Sequence, residues 1–80
     1  MDYLQNICSI IFKLQCNDYI GEAEKIRLLR DSASVGSELL MSVTHELLSY
    51  INSNNKINNL IGGNVIELKN YCWSIGLQVR

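Results

Sequence analysis

The chain has 80 residues, of which 48% are hydrophobic and 19% charged, and its formal net charge is −1 at pH 7. That apolar content excludes a disordered tail, and the near-neutral charge excludes a global field that would draw in nucleic acid or anionic membrane. A domain this short buries a limited share of its surface, so it is marginal unless a disulfide, a metal or a partner adds stability.

The first helix is expected over residues 2–16. Leu4, Ile7, Ile11 and Leu14 recur at helical spacing, with Cys8, Ile10 and Phe12 beside them. Asp2 suits the positive end of the helix dipole. It also stands where a secretory leader would carry Lys or Arg, and polar residues interrupt every apolar run before it could span a bilayer. The expected location is therefore the cytoplasm. Cys8, Cys16 and Cys72 are odd in number and include no CxxC pair, which fits reduced, apolar-context thiols better than a disulfide framework.

Asn17 and Asp18 form a turn, with Asp18 placed to cap a second helix over residues 20–33. Ile20, Ala23, Ile26, Leu29 and Ala33 are its inner residues, and Glu22, Glu24, Lys25, Arg27, Arg30 and Asp31 its charged face. The spacings pair Glu22 with Lys25, Glu24 with Arg27 and Arg27 with Asp31 along the helix.

A third helix is expected over residues 35–52. Leu40, Val43, Leu47 and Ile51 are its stripe, widened by Leu39, Leu48 and Tyr50. Ser34 is placed to cap it, and Gly36 loosens the turn before it. From Asp31 to Asn55 there is no Lys or Arg, whereas Asp31, Glu38 and Glu46 are acidic. The far side of this helix shows Glu38, Ser42, His45, Glu46 and Ser49.

Residues 53–59 read as an Asn-rich connection, with a turn of helix over 57–61 left open. Gly62 and Gly63 interrupt next, and Asn64 followed by Glu67 has capping-box spacing, so the last helix is started at Asn64 and run to about Ile75. Val65, Leu68, Cys72 and Ile75 are its stripe. One kinked helix from Lys56 through the glycines is the alternative, because Ile57, Ile61, Val65 and Leu68 keep one phase. The chain is thus an all-α single domain, a small antiparallel bundle of about four helices.

Catalytic and metal motifs are incomplete. His45 and Glu46 begin a zinc-protease helix, but Ser49 occupies the second histidine position. A single His without a Cys pair does not make a structural zinc site. Cys16 or Cys72 would need His45 brought near in space to act as a nucleophile. Gly62-Gly63 lacks the Lys-Ser/Thr of a phosphate loop. Helices two and three have the order of a helix-turn-helix, yet the would-be recognition helix carries no base and two acids, which phosphates would repel. No enzyme activity, cofactor, metal, nucleic-acid or membrane partner is expected.

The stretch LRDSASVGSELLMSVTHELLSYI covers a quarter to a third of the chain. Its Ser-x-Gly-Ser-Glu turn leading into Leu-Leu-Met (Ser34, Gly36, Ser37, Glu38, Leu39, Leu40, Met41) resembles small helical bacterial immunity proteins of contact-dependent growth inhibition systems. The resemblance implies a cytoplasmic, non-enzymatic protein. Its partner would be the C-terminal toxin domain encoded by a neighbouring gene, blocked at its active site or substrate surface. The alternatives are a small adaptor or regulatory subunit, including a homodimer through helix one or Trp73, and a DNA-binding repressor or antitoxin. Many toxins of this kind are nucleases with cationic clefts, which an acidic helix face complements. Glu38, Glu46, Asp31, Ser42 and His45 are the candidate partner-binding residues, with Asp18 and Glu22 as further acids.

Overall fold

Four helices bury their apolar stripes against one another in the computed structural model, which describes residues 3–32 and 36–77. They are α1 (Tyr3–Cys16), α2 (Ile20–Ser32), α3 (Gly36–Ser53) and α4 (Asn55–Ser74), and no strand occurs among the described residues. Each helix packs on the next and α4 returns to α1, with the most extensive contact between α3 and α4. Short connections make such neighbours antiparallel. The closing pair is antiparallel too, since Tyr3 stacks on Tyr71 at 5.7 Å while Asn6 meets Asn64.

The core is filled by Ile7, Ile10 and Leu14 of α1, Ala23 and Ile26 of α2, Leu40, Val43 and Leu47 of α3, and Ile57, Ile61, Val65, Leu68 and Cys72 of α4. Thr44 is the one buried polar side chain among the described residues, and its hydroxyl lies 3.8 Å from the Cys72 thiol. The α3 stripe lies where its spacing puts it, with Leu39, Leu48 and Ile51 buried and Tyr50 half-buried. No helix of the described residues is long and apolar enough to cross a membrane.

The C-termini of α1 and α4 use the same device. At the end of α1 the Tyr19 amide donates to Leu14 O at 2.9 Å and the Asp18 amide to Gln15 O at 3.4 Å, with Asp18 at φ +67°. At the end of α4 the Leu77 amide donates to Cys72 O at 2.8 Å and the Gly76 amide to Trp73 O at 3.2 Å, with Gly76 at φ +88°. These are Schellman motifs, and the left-handed residue is ordinarily glycine. Asp18 fills that position at some backbone cost, so it terminates α1 instead of capping α2.

Several expectations are corrected. Asn64 does not start a helix: α4 is continuous from Asn55 through both glycines, and its N-cap is Asn54. The Asn54 backbone is extended (φ −143°, ψ 109°), and its side-chain oxygen accepts from the Lys56 amide at 2.9 Å and the Ile57 amide at 3.2 Å. A cap inside an asparagine run is hard to place because each asparagine offers the same acceptor. The Asn-rich connection therefore shrinks to a single residue. Leu4, Phe12, Ile20 and Ile75 are exposed, so the α1 stripe is Ile7, Ile10, Ile11 and Leu14, and α2 buries only Ala23 and Ile26 fully. The expected roles of Asp2, Ala33 and Ser34 fall outside the described residues.

Candidate functional site

On α3, Glu38, Ser42, His45 and Glu46 stand at spacings of four, three and one, which places them on one side of the helix. Glu38 and His45 are exposed, and Ser42 and Glu46 are half-buried. Met41 stands among them and is 41% exposed, so the outward face combines acid, imidazole and an apolar thioether. The face exists because Leu40, Val43, Leu47 and Ile51 take the opposite side inward.

Glu46 is tied into the fold more firmly than its sequence position suggests. Lys25 of α2 reaches it at 3.2 Å, where the Glu46 side chain is only 22% exposed. The expected Glu22–Lys25 pair is thus replaced by a bridge between helices. The Tyr50 hydroxyl lies in the same cluster, one turn beyond Glu46. Burial raises its pKa to about 12, helped by the nearby negative charges of Glu46 and Glu22 and a hydrogen bond with Glu46. Lys25 and Tyr50 are the members that sequence reasoning missed. The signal for Tyr50 was its i,i+4 spacing from Glu46. For Lys25 no local signal existed, because the partner lies on another helix.

The raised Tyr50 pKa predicts a pH effect. The folded state holds the phenolic proton more tightly than the unfolded chain, whose tyrosine titrates at the ordinary value of about 10. Its stabilising contribution is complete below that value and is lost as pH rises toward 12. A Tyr50→Phe variant should lose less stability than the parent between these limits in matched urea melts. An identical alkaline loss in both would contradict the environment described here.

Asp31 does not join this face. It accepts from Arg30 Nε at 3.0 Å, and Arg30 Nη1 also reaches the Cys8 thiol of α1 at 3.4 Å. Asp31 therefore belongs to the α1/α2 edge. On the outer side of α2, Arg27 pairs with Glu24 as the spacing predicts. Asp18 sits exposed in the α1–α2 turn.

Of the thiols considered from sequence, Cys72 is not presented toward His45. Cys72 is buried against Thr44, whereas His45 stands on the exposed side of the same helix as Thr44. Cys16 is exposed at the end of α1. Among the described residues no group of three His, Cys, Asp or Glu side chains converges as metal ligands would. Compared with protein-family models, curated proteins and solved structures, the chain matches none.

Proposed function

We propose that this chain is an immunity-type inhibitor. It binds the toxic C-terminal domain of a protein encoded beside it, and it does so through the outer face of α3. The supporting observation is the exposed set Glu38, Met41 and His45 on a rigid, well-buried helix, within a run from Asp31 to Asn55 that contains no Lys or Arg. An exposed acid beside an apolar contact suits the cationic substrate cleft of a nuclease. The charges speed and orient encounter, and the apolar centre holds the complex. In this reading the inhibitor acts in the cytoplasm and needs no catalytic group or cofactor, only a surface that fits its target.

The geometry ranks the residues. Glu38 is exposed and available to a partner, whereas Glu46 already neutralises Lys25. A Glu46→Lys change would set two lysines against each other between α2 and α3, which confounds binding with folding. Glu38→Lys is the cleaner probe, with Glu46→Gln as its companion.

The test is to tag the chain, co-express it with the C-terminal region of the protein encoded immediately upstream, and weigh the purified complex. The expected result is a one-to-one complex and restored growth of the expressing cells. Glu38→Lys should then weaken binding by about tenfold, which is about 1.4 kcal/mol, chiefly through slower association at low salt. No complex and no rescue would sink the proposal. A complex indifferent to Glu38→Lys would move the contact off this face.

A further inference from the structure

The outer face of α4 carries a second row. Lys56, Asn59, Gly63, Ile66, Asn70 and Trp73 recur at spacings of three, four, three, four and three, the spacing of a coiled-coil seam with Ile66 and Trp73 as its apolar members. All six are exposed, Ile66 and Trp73 at 45% and 50%. Gly63 lies mid-helix, with no described residue within 4 Å of where a Cβ would stand. A glycine there weakens the helix and answers to no crowding among the described residues. Glycine in such a place commonly marks a close approach by something else.

The chemistry of the row identifies the visitor. Folded back antiparallel about a point between Gly63 and Ile66, each member meets a suitable partner. Gly63 faces Ile66, leaving a hole for a branched side chain. Asn59 faces Asn70, and two amides can exchange donor and acceptor. Lys56 faces Trp73, a cation over an indole. The surface also has a place for that indole. An open depression lined by Asn17, Tyr19, Lys56, Asn59 and Leu60 lies at the Lys56 end of α4, the end opposite Trp73. A two-fold axis carries Trp73 of the partner subunit to this depression, and the same exchange repeats at the other end, as an isologous interface requires.

We infer that the outer face of α4 pairs two copies of this chain antiparallel, with Trp73 of each seated in the Asn17–Lys56–Leu60 depression of the other. The interface uses α4 and leaves the α3 face out of the contact, so self-association and toxin binding are tested independently. With Ile66 and Trp73 as the row's large apolar members and only Tyr19 and Leu60 added by the depression, the pairing is a modest one.

Sedimentation equilibrium of the whole chain reads it directly. Across about 10–500 µM the mass should climb from that of one 9.1 kDa chain toward two. Two exposed double variants then test the register. Asn59→Asp with Asn70→Lys opposes unlike charges at both crossings and should keep the dimer or tighten it severalfold. Asn59→Lys with Asn70→Lys opposes like charges and should leave a monomer with unchanged helix content by circular dichroism. A parent that stays monomeric at the highest concentration overturns the inference, as do two double variants that associate alike.

Discussion

Truncating Ile26 to alanine should cost about 2–5 kcal/mol, the range for large-to-small changes at fully buried aliphatic positions. A domain of 80 residues has roughly 4–12 kcal/mol in all, so this one change removes a large share of it. The reason lies in how little holds α2. Only Ala23 and Ile26 of its 13 residues are fully buried, against seven buried residues on α3 and six on α4. Alanine at position 23 contributes little area, and Leu29 is only partly buried. Ile26 is therefore the main apolar anchor between α2 and the rest. Leu28 is its control: it is 58% exposed, and Leu28→Ala should change stability by no more than about 0.5 kcal/mol. Urea melts of both variants check the difference, and amide exchange locates it, with α2 losing protection ahead of α4. A loss below about 1 kcal/mol for Ile26→Ala would mean that the Lys25–Glu46 bridge and the turns hold α2 instead.

The same helix shows why its burial was only partly legible in sequence. Ile20 and Leu28 look as apolar as Ile26, and periodicity alone admits Ile20 to the inner stripe. The structure excludes it, and helix geometry gives the reason: Ile20 lies about 120° around α2 from Ile26 and is 57% exposed. α3 was easier to read, since its apolar positions form a stripe broad enough to leave one orientation. The first helix erred in the other direction. Its pattern supports several neighbouring stripes, and only packing against both α2 and α4 selects Ile7, Ile10, Ile11 and Leu14 over Leu4 and Phe12.

The candidate site divides along the same line. That Glu38, Ser42, His45 and Glu46 share a face follows from 3.6 residues per turn and needs no tertiary information. That Glu46 is committed to Lys25, and that Arg30, holding Asp31, also reaches Cys8, depends on which helix lies across from which. A base-free run in sequence is therefore not an uncompensated acidic surface in space. The electrostatic argument for partner binding narrows from three acids to chiefly one, Glu38.

Asn64→Ser should cost about 1–3 kcal/mol, and this result separates the observed fold from the helix start that the sequence suggested. Serine and asparagine serve almost equally as N-caps, so a capping Asn64 would tolerate the exchange. Asn64 lies instead in the interior of α4 and bridges to α1. Its Nδ2 donates to Asn6 Oδ1 at 2.7 Å, its Oδ1 accepts from Lys13 Nζ at 2.9 Å, and its backbone oxygen accepts from Asn6 Nδ2 at 3.3 Å. Serine is too short to reach Asn6 and Lys13 together, so two partly buried side-chain bonds are lost, one of them to a charged group. Helix propensity hardly enters, because serine and asparagine rank closely within a helix interior. Asn58→Ser, at an exposed position of the same helix, should stay within about 0.5 kcal/mol of the parent. Equal stability of the two variants in urea melts would return Asn64 to the role of a cap and split α4 at its glycines. A selective loss for Asn64→Ser would fix the α1–α4 contact as a polar clasp that sets the register of two apolar faces, which by themselves could slide past each other.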